Sequence, residues 1–178
     1  MEALRLEAGR IIEIASGRRL QRNADGQLEA AAVEPEFLLA QRDVSLEGQV
    51  GEIEFGGLKI HWERLMGGQA KWHDLGQAVN REIFDAESLG QAITLRHWRP
   101  GARYQPIGKA GTAKLQDLFV NQKIPKAKRR QLIVAEASDG WLFWVQKLRI
   151  ADGGKVTQST RELLSVSYTH LRAHETRH

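Results

Sequence analysis

Apolar positions recur with two different periods along this chain, and the changes of period mark out its elements. Leu4, Ala8, Ile11, Ile12 and Ala15 repeat at the three- and four-residue spacing of one helical face, and Ser16-Gly17 follows them. Residues 1–17 are therefore expected to form an amphipathic helix stopped by glycine. From Arg18 to Trp72 the pattern shortens into strands and turns. Asp25-Gly26 reads as a turn, Phe37 to Gln41 as a short apolar run, and Ile53 to Phe55 as a strand that turns at Gly56-Gly57 into the alternation of Leu58, Ile60 and Trp62. The polar stretch from Gln69 to Arg81 has no period and is expected to hold a domain boundary.

A compact module follows Ile83-Phe84-Asp85. Ile93 to Trp98 alternates as a strand, Pro100-Gly101 turns, and the flexible segment Gly108 to Gly111 leads to Thr112 as a helix N-cap. Leu115, Leu118 and Phe119 then share one face of a helix over 112–121. Pro125 interrupts it, and Lys126 to Gln131 restarts a short basic turn. Leu132 to Ala135 and Trp141 to Val145 make two strands joined near Asp139-Gly140, and Thr157 to Leu164 reads as a last helix. The expected class is α+β: a short helical and β segment followed by a small mixed α/β C-terminal domain. The expected divisions are 1–17 as a helix, 18–80 as a β-rich linker or subdomain, 81–166 as the C-terminal domain and 167–178 as a non-native tail.

Composition narrows the function. A chain of 178 residues, 42% of them hydrophobic, can fill a core. It has no apolar run long enough to span a membrane, no secretory leader pattern and no cysteine, so a cytoplasmic protein without disulfides or thiolate metal sites is expected. The formal net charge is +4, but it is unevenly placed. Between Arg96 and Arg130 there are ten basic residues, namely Arg96, Arg99, Arg103, Lys109, Lys114, Lys123, Lys126, Lys128, Arg129 and Arg130, against the single acid Asp117, which leaves −5 on the remainder. Such a block can be a phosphate-docking surface or a merely solvated face. Gly108, Gly111 and Thr112, with Lys109 and Lys114 nearby, form a candidate phosphate loop at a helix start; a plain helix cap is the simpler alternative.

Leu95-Arg96-His97-Trp98-Arg99-Pro100-Gly101, continuing through Arg103-Tyr104-Gln105-Pro106-Ile107-Gly108, resembles the signature of the C-terminal domain of tRNA(Ile)-lysidine synthases. Lys114-Leu115-Gln116-Asp117-Leu118-Phe119, Lys123-Ile124-Pro125, Phe143-Trp144-Val145 and Leu148-Arg149-Ile150 continue it in order, and Gly17-Arg18-Arg19-Leu20 is similar to the end of that family's middle domain. The resemblance implies an enzyme that uses ATP and magnesium to attach lysine to the wobble cytidine of an isoleucine tRNA, with this region gripping the tRNA toward its acceptor stem. It also implies that the catalytic domain lies outside this chain, because the Ser-Gly-Gly-x-Asp-Ser phosphate loop is not found in it. Gly56-Gly57, Gly67-Gly68 and Gly153-Gly154 lack the flanking serines and aspartate, so no cofactor is expected here. One departure is Ala102, where the family carries an acid that would partner Arg99 or Arg103.

The alternative reading is a stand-alone RNA-binding module without ligase activity. An independent enzyme built on His73, Asp74 and Asp85 is disfavoured, since no nucleophile or acid pair stands in a recognisable context. Of the tryptophans, Trp144 is expected in the core through alternation with Leu142, and Trp98 beside the basic residues. His170, His174 and His178 are spaced like metal ligands, but Ser167 to Thr176 resembles a translated sequencing adapter, so the spacing is set aside. Oligomeric state has no sequence signal.

Overall fold

The structure, a computed structural model, describes residues 11–14, 18–30, 38–67, 69–75 and 78–172. Two compact units result, Met1–Glu36 and Phe37–His178. In the first, β1 (Ile11–Ile14), β2 (Arg18–Arg22) and β3 (Leu28–Ala30) form an antiparallel meander. The helix expected over 1–17 is thus corrected where it is described: Ile11 pairs with Gln21 and Ile14 with Arg18. β-Branched isoleucines prefer the extended backbone once a partner strand is present, and a helical spacing of apolar residues does not exclude it. Residues 1–10 and 15–17 lie outside the described residues. The turn at Asp25-Gly26 is built by Asn23, whose side-chain oxygen accepts from the N–H groups of Asp25 (3.1 Å) and Gln27 (2.9 Å).

The second unit contains β4 (Gln41–Ser45), β5 (Val50–Phe55), β6 (Leu58–Met66), α1 (Gln69–Leu75), β7 (Arg81–Asp85), α2 (Ala86–Leu89) and β8 (Ala92–His97). β9 (Arg103–Tyr104), β10 (Ala113–Lys114), α3 (Leu115–Asn121), α4 (Lys126–Arg129), β11 (Ile133–Glu136), β12 (Leu142–Val145) and β13 (Glu162–His170) follow. Two antiparallel four-stranded sheets carry the unit, in orders β12-β11-β8-β4 and β5-β6-β13-β7, with β9 and β10 as a separate ribbon. The class is α+β, with strand predominating over helix. Among the described residues no helix is long and apolar enough to cross a membrane.

The two sheets face each other across one core. Val44, Ile93, Leu95, Ile133 and Ala135 of the first sheet meet Leu58, Ile60, Trp62, Phe84 and Leu164 of the second. A second core lies on the opposite face of β11 and β12, where Val134, Leu142 and Val145 pack under Leu115 and Phe119 of α3 with Trp98 and Tyr104. Both β11 and β12 are therefore covered on two faces. Trp144 is in the core as expected, but not by alternation with Leu142. A bulge sets Phe143 and Trp144 together into the first core while Leu142 and Val145 face the second.

Four expectations need correction. The boundary near residue 80 does not separate two units, because β6 pairs along its whole length with β13 and β13 pairs in turn with β7. The helix expected over 157–164 is instead a turn followed by the first three residues of β13. Leu164, Val166 and Tyr168 turn one face toward the first core, and a short apolar run buried in this way has no period that distinguishes strand from helix. The strand extends through His170, opposite Leu58, so residues 167–170 of the expected non-native tail, set aside from the fold in the sequence reading, pair in the sheet. Finally, the apolar run near Leu38 and Leu39 is exposed and the strand begins only at Gln41; Phe37 lies outside the described residues. The polar stretch after Met66 holds α1, which was not anticipated.

Phe84 is fully buried between the sheets, edge-on to Phe143 with ring centroids 5.1 Å apart. Phe84→Ala is expected to remove about 3–5 kcal/mol of stability through lost transfer energy and the cavity left behind. Urea denaturation of the full chain checks this; a midpoint unchanged from the parent would mean that the sheets do not pack there.

Candidate nucleic-acid interface

The ten basic residues of the 96–130 block do not act as one surface. Arg96, on β8, reaches diagonally to Glu136 on β11: its Nε donates at 2.7 Å and its Nη2 lies 2.6 Å from the same Oε1, while Nη1 donates to the His97 carbonyl at 3.1 Å. With side chains only 14% and 23% exposed, this pair braces the sheet, and Arg96 is withdrawn as an RNA contact. Arg129 donates through Nε to the Ile124 carbonyl at 2.8 Å and fastens the segment between α3 and α4. Arg99 is half-buried and donates to the Leu39 carbonyl at 3.2 Å, and Arg130 is half-buried as well.

What remains exposed is Arg103, Lys109, Lys114, Lys123, Lys126 and Lys128. Arg103 and Lys114 are directly opposed partners in the β9–β10 ribbon. Like charges at such positions repel, and a shared phosphate would relieve the repulsion. Arg103 is oriented by Thr112, to whose Oγ1 and carbonyl it donates at 3.0 Å each. This answers the question raised by Ala102: Arg103 is held without a neighbouring acid. Ala102 is partly buried in the second core, and its carbonyl accepts the Leu115 N–H at 2.9 Å. Lys123 stands at the turn after α3 with φ 54°, and Lys126 and Lys128 project from the single turn of α4.

The phosphate loop is corrected. α3 begins at Leu115 with Lys114 as its N-cap and no side-chain capping bond, so Thr112 serves Arg103 and not a helix start. The Gly108 N–H is occupied by Asp152, donating to its Oδ1 at 3.2 Å. Lys155, hydrogen-bonded to both Asp152 oxygens at 3.0 Å, and the Gly108 N–H hold that carboxyl below its usual range. A fixed carboxylate at the loop opposes a second anion, and Gly108, Gly111 and Thr112 are withdrawn as a phosphate cradle. Gly108 and Gly111 still serve the turn, at φ 77° and 74°.

Two further expectations resolve locally. Asp85 is committed to structure, since its side chain accepts from the Glu87 N–H (3.1 Å) at the start of α2 and from the Thr160 hydroxyl (2.7 Å). That use removes it from an enzyme reading with His73 and Asp74. Trp98 is buried against Phe119 and supports the second core beneath the basic segment. The chain also places two exposed cations that sequence spacing could not associate: Arg81 of β7 and Arg149 after β12 line one cleft of about 330 Å³ together with Trp72 and Glu82.

Burial raises the carboxyl pKa of Glu82, opposed by the nearby charge of Arg149. A raised folded-state value for an acid means stability falls as pH rises from the unfolded value toward the folded one. Glu82→Gln should therefore stabilise the chain at neutral pH, with the difference vanishing below pH 4 or so, as thermal melts across pH would show. Arg96→Ala should cost about 1–3 kcal/mol by stranding Glu136, whereas Lys128→Ala should stay within about 0.5 kcal/mol of the parent. Denaturant titration separates the two roles, and equal effects would remove the distinction between bracing and exposed cations.

Known proteins are similar to part of this chain. The family model described as "TilS substrate C-terminal domain" matches residues 93–167. The tRNA(Ile)-lysidine synthase of Clostridium acetobutylicum is 30% identical over 112 residues, covering 60% of this chain and 24% of that protein. That of Geobacter sulfurreducens is 31% identical over 99 residues, covering 56% of this chain and 20% of that protein. The chain thus spans about a quarter or less of the length of these relatives. A crystal structure of a TilS C-terminal domain superposes with a TM-score of 0.60 at 22% identity, over 75% of this chain and 100% of that one, which is a likeness of fold. Residues 93–167 are thus similar to the TilS C-terminal domain, and the fold of the second unit is like that of the solved one.

Proposed function

We propose that this chain is the part of a tRNA(Ile)-lysidine synthase that grips the tRNA, while a separate domain of the whole enzyme attaches lysine to the wobble cytidine at the expense of ATP. The observation that carries the reading is the opposed pair Arg103 and Lys114, with Lys109, Lys123, Lys126 and Lys128 also exposed, inside the segment that matches the family. Duplex RNA offers phosphates and 2′-hydroxyls across a shallow groove, which exposed cations on a rigid scaffold can follow by shape. The role of such a domain is positional: it fixes the substrate far from the reacting atoms, so that its binding energy serves orientation at the catalytic site. A cytoplasmic setting follows from that role.

The test is binding of the chain to an isoleucine tRNA transcript and to an unrelated tRNA across a salt series. The expected result is salt-sensitive binding in which Lys128→Ala lowers the slope by roughly 0.7–0.9 for the phosphate contact removed, and Arg103→Ala weakens affinity by about 1–3 kcal/mol. No binding at low salt would overturn the reading. Equal affinity for both tRNAs would make this a general RNA grip, with selection exercised elsewhere.

A further inference from the structure

Ile107 and Arg149 each line two neighbouring clefts. One cleft, of about 450 Å³, lies between the 106–113 loop and the end of α3, where Lys109, Asn121 and Gln122 reach it. The other, of about 330 Å³, is bounded by Trp72 on α1 and by Arg81 and Glu82 on β7. The two adjoin through these shared residues and are treated as one groove, with Lys109 lining the first part, Arg81 and Trp72 the second, and Arg149 both.

Three features of the groove point to one kind of ligand. Lys109, Arg149 and Arg81 are all exposed, and none makes a side-chain hydrogen bond or ion pair with another described residue, so their donors are available. Trp72 is 39% exposed, and it alone of the five tryptophans packs into neither hydrophobic core. Asn121 and Gln122 offer amide donors and acceptors at the opposite end. Cations grouped with an exposed indole suit a polyanion that carries planar rings. Base pairing and stacking hide base faces inside a duplex, so the ring that Trp72 can reach belongs to an unpaired nucleotide.

We propose that this groove holds a short single-stranded segment of RNA, about two or three nucleotides, with a base on Trp72 and phosphates at Lys109, Arg149 and Arg81. Glu82 is the one acid in the groove. It is half-buried, and its charge is opposed by Arg149. None of the groove's arginines belongs to the basic block read from the sequence. The proposal rests on the RNA-binding reading and shares Lys109 with the surface proposed there, but Arg149, Arg81 and Trp72 are additional to it.

The test compares the full chain's affinity for a blunt RNA duplex and for the same duplex with a 3′ extension of about three unpaired nucleotides, near 0.1 M salt. The extension is expected to strengthen binding about tenfold, Trp72→Ala and Arg149→Ala are each expected to remove most of that gain, and neither should alter blunt-duplex binding more than about twofold. Circular dichroism confirms that both variants are folded. An extension that adds nothing, or a gain that survives both substitutions, overturns the proposal. Binding of the extended RNA without binding of the blunt duplex would uphold the groove while removing the duplex reading.

Discussion

Coverage of β11 and β12 on both faces is the constraint on which the rest of the second unit depends. Four-residue strands cannot sustain a sheet by their hydrogen bonds alone; packing makes these two stable, with Ile133, Ala135, Phe143 and Trp144 against the opposite sheet and Val134, Leu142 and Val145 beneath α3. The bulge at Phe143 is what allows one strand to supply two large aromatic residues to the same core. The second sheet exists to cover the first, and β13 holds it together as the strand shared by β6 and β7.

That architecture also decides which charges are drawn into the sheets and which stay exposed. Arg96 is on β8, between β4 and β11, and there it finds Glu136; Arg64 on β6 likewise finds Glu162 on β13 with Nε at 2.9 Å and Nη2 at 2.7 Å. Guanidinium groups so placed tie neighbouring strands together. Cations on the β9–β10 ribbon, on the turn after α3 and on α4 lie outside the sheets, and they remain exposed. The rigid layer underneath, from Trp98 through Phe119, gives these short elements a fixed base. The surface proposed to bind RNA would gain from that combination, because mobile cations lose the entropy of ordering each time they bind.

Much of the 93–145 segment was legible in the sequence because its signals are local. The strand at 92–97, the helix around Leu115 and Phe119 and the Asp139-Gly140 connection each rest on residues near one another in the chain, as does the Gly56-Gly57 hairpin outside that segment. The errors arose where a distant partner decides. β13 reads as a helix until β6 and β7 are placed on its two sides, and the first unit's Ile11 to Ile14 reads as a helical face until β2 pairs with it. The same holds for function. A charge count could find the basic block, yet it could not know that Glu136 neutralises Arg96 or that Asp152 occupies the Gly108 N–H. Nor could spacing bring Arg81, Trp72 and Arg149 to one cleft.

The central claim is that the exposed cations of the ribbon and of the α3–α4 region form the RNA-facing surface, distinct from the bracing arginines. Backbone amide shifts of the isotopically labelled full chain, recorded by NMR as tRNA is added at moderate salt, test it most directly. The account predicts perturbation at Arg103, Lys109, Lys114, Lys123 and Lys128 with little change along the β5–β6 hairpin. Perturbation concentrated on that hairpin, or none anywhere at tRNA excess, would contradict it.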